Sequence, residues 1–184
     1  ALSEYLFATY GETTAKYNVF VKGEKQSAVI VYEMIALNTA NFYSSVSGIK
    51  SEKESAFKYY FLVENVDLSA HAKANFHAGA WCAFVNVYTD LDGRGHAICF
   101  NYTHTDGNYH GLASAFMNVT WKNVALRINL SLAESTRANG VIAYQLSGST
   151  FENCYVEATL DNKSNKNVAF SSAILGGTTF KNCL

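Results

Sequence analysis

Along "VALRINL" the apolar residues fall on alternate positions: Val124, Leu126, Ile128 and Leu130 on one side, Ala125, Arg127 and Asn129 on the other. "CYVEATL" does the same, with Cys154, Val156, Ala158 and Leu160 set against Tyr155, Glu157 and Thr159. Period two with every charge on one side predicts half-buried β-strands. "STRANG" and "NKSNKN" separate such runs and predict turns. A helical pattern shows only in "VYEMIALNTANFYSSVSG" (Val31 to Gly48), where Met34, Ile35, Leu37, Ala40 and Phe42 make an apolar side. Residues 31–57 are therefore expected to form a helical cap, with residues 58–184 given to β-structure. Residues 1–30 hold two alternating runs, "YLFATYG" and "YNVFVKG", joined by "ETTAK". They predict a hairpin, or the tail of a preceding domain.

The strands belong to a repeat. "VTWKNVAL", "STFENCYV" and "TTFKNCL" each carry Thr, an aromatic, a charged residue, Asn, then Val or Cys. The aromatics are Trp121, Phe151 and Phe180, and the asparagines Asn123, Asn153 and Asn182. A second set of matches starts at Gly111, Gly140 and Ala169, spaced 29 and 29. A unit of about 29 residues made of short strands and turns excludes the helical repeats. The economical solution is an all-β parallel β-solenoid, with a sandwich or propeller blade as the alternative. Equivalent residues then stack. Trp121, Phe151 and Phe180 form an aromatic column, and the three asparagines form a hydrogen-bonded ladder turned inward at a corner. Cys154 and Cys183 share a column with Val124 and are expected as a small buried stack rather than a disulfide.

"YYFLVENVDLSA" (Tyr59 to Ala70), "DLDGRGHAI" (Asp90 to Ile98), "GNYHGLASAF" (Gly107 to Phe116) and "STFENCYVEATL" (Ser149 to Leu160) resemble successive elements of GLUG-type repeat proteins. The signature itself is written here as "GLAS", "GVIA" and "AFSS". The resemblance covers about Glu33 to Leu184. It implies a right-handed parallel β-helix of a bacterial secreted or surface protein, with a helix before the first coil. "FKNCL" stops where earlier copies continue into a strand, so further repeats or a partner subunit are expected at the C-terminal edge.

Composition narrows the picture. The 184 residues suffice for one core, and a net charge of -1 argues against a nucleic-acid partner. No apolar run approaches membrane-span length, so membrane insertion is not expected. Proline is absent, which suits a strand-dense chain. Four cysteines lack zinc-site spacing, so no metal and no cofactor is expected.

Chemistry has few places to sit. Asp90, Asp92 and His96 in "DLDGRGHA" have the residue types for acid-base work on a polysaccharide. The glycines around them favour a structural turn, and the turn is the preferred reading. His104, Asp106 and His110 could hold a divalent metal, but the Asp-Gly within the set reads as a turn. His71 and His77 read as loop residues. Sequons at Asn101, Asn118, Asn129 and Asn162 are no more than this composition produces by chance. Tyr102, Tyr109 and Tyr155 are expected to point outward, where aromatics stack on sugar rings or make protein contacts.

The expected function is a non-enzymatic structural and recognition module, extracellular or on a cell surface. Its adhesin-like partner would be a host or environmental glycan or a protein surface. The alternatives are a carbohydrate-active β-helical enzyme and a phage virion spike or decoration protein.

Overall fold

The computed structural model describes residues 20–21, 24–25, 33–71, 75–77, 80–104, 108–133, 137–138, 140–163 and 171–184. The chain is mostly strand and winds into a parallel β-solenoid of about four turns, with short helices near the N-terminus. A small antiparallel pair, β1 (Phe20–Val21) and β2 (Glu24–Lys25), comes first. Then follow β3 (Glu33–Leu37), α1 (Phe42–Gly48) and α2 (Glu52–Ser55). The first coil contains β4 (Lys58–Leu62), β5 (Val66–Asp67), β6 (Asn75–His77) and β7 (Ala80–Val87). The second has β8 (Leu91–Asp92), β9 (Ala97–His104) and β10 (Asn108–Met117). The third has β11 (Thr120–Lys122), β12 (Ala125–Leu132), β13 (Arg137–Ala138) and β14 (Ala143–Ser147). The fourth has β15 (Thr150–Glu152), β16 (Tyr155–Asn162) and β17 (Ser171–Ile174), and β18 (Thr179–Lys181) begins the next rung.

Three sheets enclose the core. The first runs β3-β4-β8-β11-β15-β18, the second β5-β9-β12-β16, and the third β6-β7-β10-β14-β17, with β13 beside β10. All pairings in these sheets are parallel except β6 with β7. In the second sheet β9, β12 and β16 stay in register over eight residues, so Ile98 sits beside Leu126 and Leu126 beside Val156. Strict register keeps the period-two pattern on one side through every coil. The core fills accordingly, with Phe84, Phe100, Phe116, Trp121, Leu126 and Ile128 all buried. Phe116 meets Trp121 edge-on at 4.9 Å and Phe151 at 5.5 Å.

The repeated motif is a five-residue step between two left-handed corners. Asn118, Gly148 and Gly177 have φ of 51°, 59° and 82°, and Asn123, Asn153 and Asn182, five residues later in each case, have φ of 54°, 52° and 49°. Left-handed backbone selects glycine or asparagine, which accounts for both ends of the motif. Between the corners, Trp121, Phe151 and Phe180 are in register and point inward. The upstream matches align differently from the sequence expectation. Ala113 pairs with Ala143 and Ala143 with Ser171, so the spacings are 30 and 28, not 29 and 29. Tyr109 pairs with Ala138 but Ala113 with Ala143, so the extra residue falls between Ala138 and Ala143, whereas the bulge at Gly111 (φ 101°) shifts β10 against β7.

The N-terminal region is less helical than its apolar spacing predicts. Glu33–Leu37 is a strand paired in parallel with β4, so the expected helix over Val31 to Gly48 shrinks to Phe42–Gly48. Within β3, Met34 faces out while Leu37 is buried, a strand alternation that the short window disguised. α1 buries Phe42 and Val46. Tyr43 stacks on His71 at 4.1 Å and on Phe84 at 5.5 Å, so His71 packs against the cap. The hairpin expected from Tyr5 to Gly23 lies largely outside the described residues.

Candidate functional site

The first sheet is irregular in one place. β3 and β4 share five register pairs and β11 and β15 share three, but β4 and β8 meet only at Phe61 and Asp92. The second coil is also irregular just after this pair. Asp92 aligns with Lys122 and Ala97 with Ala125, so the corner "GRGH" is two residues longer than "NV" in the third coil. The extra turn places Arg94 at φ 51°. Gly93 is required there, because a Cβ would lie 2.5 Å from Asn123 O and from Val124 Cβ. Between β4 and the start of β8 lies a depression of about 320 Å³, lined by Lys58, Tyr59, Asp90, Asp92, Thr120 and Lys122 among others.

Asp92 is the most connected group of this lining. Tyr59 Oη donates to its Oδ2, Asn123 Nδ2 donates to Oδ1 at 3.0 Å, and the Arg94 N–H donates to Oδ1 at 3.0 Å. Lys122 Nζ stands 3.8 Å from Oδ2. Burial opposes the charge, but these donors and Lys122 outweigh it and hold the carboxyl below its ordinary value. Asp90 goes the other way. Although part of the residue reaches solvent, crowding around the carboxyl pushes its pKa up, against the pull of the Thr120 N–H at 2.6 Å and of Lys122. The Tyr59 phenol is pushed up by burial and then by Asp92, so it stays a donor. Lys122 Nζ lies 5.8 Å from the Tyr59 ring centroid, and the Arg94 guanidinium lies 3.6 Å from that of Phe61.

Asp92 also starts the asparagine column. Asn153 Nδ2 donates to Asn123 Oδ1 at 3.1 Å, and Asn182 Nδ2 donates to Asn153 Oδ1 at 3.2 Å. The column runs along the outside of the corner: Asn153 and Asn182 are exposed, whereas the next residues, Val124 and Cys154, are buried. This corrects the expectation of inward asparagines. The left-handed turn swings each Asn side chain outward and returns the chain to the core one residue later. Cys154 is buried and its thiol is pushed up to about 11 by that burial, while Cys183 is exposed. All four cysteines are free thiols.

The other sequence candidates are dispersed. His96 is half-buried, with its N–H bonded to Gly93 O at 2.8 Å, and it does not line the depression with Asp90 and Asp92. Tyr155 faces out, in register with Ala125. Tyr102 faces in: β9 runs on to His104, which puts Tyr102 in register with Leu130 and packed against the core, its Oη 3.2 Å from His104 Nδ1. Tyr109 lies in β10, in register with Trp81 and Ala138. Asp106 lies outside the described residues. Among the described residues no three His, Cys, Asp or Glu side chains cluster to hold a metal, and no helix is long and apolar enough to cross a membrane.

Sequence reasoning missed Lys58, Tyr59 and Lys122. Tyr59 and Asp92 are 33 residues apart, on strands that share a single register pair. "KYYFL" runs four aromatic or apolar residues together, so no alternation in the sequence marks Tyr59 and Phe61 as the outward pair; only the burial of Tyr60 and Leu62 does. No family model, no curated protein and no solved structure matches the chain.

Proposed function

We propose that the chain is a non-enzymatic structural and recognition module, displayed outside a cell or on its surface, that holds a glycan or protein partner against a rigid solenoid. The resemblance to GLUG-type repeat proteins supports this reading, and so does the fold's ability to present a long fixed surface. The observation that carries it is how outward polar side chains are engaged by their neighbours on adjacent rungs. Asn129 Nδ2 donates to Asn101 Oδ1 at 2.6 Å, Ser131 Oγ to Asp161 Oδ2 at 3.1 Å, and Arg127 faces Glu157 at 3.6 Å. Asp92 is occupied by Tyr59, Asn123 and the Arg94 N–H. Groups committed to each other make a stiff surface rather than a reactive one. A further coil or a partner subunit is proposed to cover the last rung, where Phe180, Ile174 and Leu184 surround an apolar hollow of about 410 Å³.

A second reading has its own observation. Asp90 and Asp92 line one depression with their acidities displaced in opposite directions, the arrangement of an acid and a base. This favours the carbohydrate-active enzyme over the virion spike among the alternatives. The two readings separate in one experiment. The purified chain is screened for binding to immobilised polysaccharides and extracellular-matrix proteins, and the same polysaccharides are assayed for new reducing ends or unsaturated products. Binding without cleavage is expected. Cleavage that disappears in Asp92→Asn would replace the recognition reading with the enzymatic one.

A further inference from the structure

The gap in the first sheet has the groups that recognise a sugar, and their signs say which kind. The two carboxylates, Asp90 and Asp92, are matched by two amines, Lys58 and Lys122, in a hollow of about 320 Å³. That volume is at the small end of ligand sites and suits one or two rings. Asp92 is engaged by Tyr59, Asn123 and the Arg94 N–H, and stands 3.8 Å from Lys122. Asp90 uses Oδ1 on the Thr120 N–H, leaving Oδ2 to accept from a ligand. Lys58 supplies a donor and the Tyr59 ring an apolar wall. An acceptor and a donor flanking an aromatic ring match adjacent hydroxyls on a carbohydrate ring. A lining that sums to zero charge favours a neutral sugar. A uronate would bring a third carboxylate to a site that already holds two.

The hollow is also prepared by the scaffold rather than by a loose loop. It exists because β4 and β8 share only the Phe61–Asp92 pair. Its walls are the strands β4, β8 and β11, fixed above and below by the solenoid. Rigid walls reduce the ordering cost of binding a flexible sugar. Phe57, immediately before Lys58, is 60% exposed at φ 60°, a bulky residue held in left-handed backbone at the edge of this strand.

We propose that the gap between β4 and β8 is a subsite for a neutral saccharide, with Asp90 accepting from and Lys58 donating to neighbouring hydroxyls beside Tyr59. The proposal deepens the recognition reading above and rests on it. The test titrates the chain with neutral gluco-, manno-, galacto- and xylo-oligosaccharides and with oligogalacturonate, followed by calorimetry and amide NMR shifts. Asp90→Asn keeps the acceptor for Thr120 while removing the charge, and Lys58→Met keeps the apolar stem. Binding of at least one neutral oligosaccharide is expected, with shifts at Tyr59 and Thr120 and a loss of roughly tenfold in affinity for each variant at unchanged melting temperature. Neutral-sugar binding that both variants leave intact overturns the subsite while leaving a recognition module. Tighter binding of oligogalacturonate overturns the neutral class. Absence of binding to every sugar also overturns the subsite, whereas polysaccharide cleavage overturns the recognition reading itself.

Discussion

Asp92 is a short residue on a two-residue strand, yet it joins three systems: the Tyr59 phenol, the asparagine column and the Lys122 amine. Removing it in Asp92→Ala leaves the Asn123 amide and the Arg94 N–H without their acceptor, a loss of about 1–3 kcal/mol at pH 7. The pH dependence follows from its lowered pKa. A carboxyl held below its unfolded value of about 3.9 adds stability above that pH and loses it as pH falls through the folded value. Wild type and Asp92→Ala should therefore differ most near neutrality and converge below about pH 4 in urea titrations. Asp90 has the opposite sign. Its pKa is raised, so its contribution is full at acid pH and fades as pH rises through the folded value. A wild-type advantage over Asp92→Ala that does not change from pH 7 to pH 3 would contradict the assignment of Asp92 as a held carboxylate.

At the scale of the element, the corner explains the motif better than the strand does. Asn153 combines a φ of 52° with a donated hydrogen bond to Asn123 and an accepted one from Asn182. Asn153→Leu forces a branched apolar side chain into left-handed backbone and should cost about 1–2 kcal/mol from that alone. Asn153→Gly relieves the backbone and loses only the exposed hydrogen bonds, so it should melt clearly above Asn153→Leu. Equal melting temperatures would mean that the ladder, not the backbone, selects the residue. This distinction was half legible beforehand. The aromatic, the asparagine and their spacing of 30 and 29 stand out in the sequence because the left-handed corner tolerates so few residues. The β10, β14 and β17 face was misaligned by one residue because the third coil carries an extra residue between Ala138 and Ala143, which the matching glycines Gly111 and Gly140 conceal. The depression was illegible for a different reason. It arises from a missing pairing between β4 and β8, and an absence of register has no pattern of its own. Asp90 and Asp92 could be picked out as carboxylates in a turn, but not their meeting with Tyr59.

For the whole molecule, stability should follow position along the solenoid. Within one aromatic column exposure runs from 0% at Trp121 and 2% at Phe151 to 41% at Phe180. Nearest-neighbour contacts dominate solenoid energetics, so in the isolated chain the middle rungs are held from both sides and the rung of Phe180 from one. Amide hydrogen exchange should be slowest in β9 and β12, faster in β16, and fastest in β17 and β18. Equal protection of β12 and β18 would instead indicate one cooperative unit with no gradient. A stack of similar coils also faces a bookkeeping hazard, since a coil could dock one rung too far along and still bury apolar residues. The outward column of the first sheet reads Asp92, Lys122, Glu152, Lys181 in register. Skip a rung, and acid meets acid or base meets base. The alternating signs act as a parity check on the winding: they add little to the stability of the correct stack, and they mark a one-rung slip as an error.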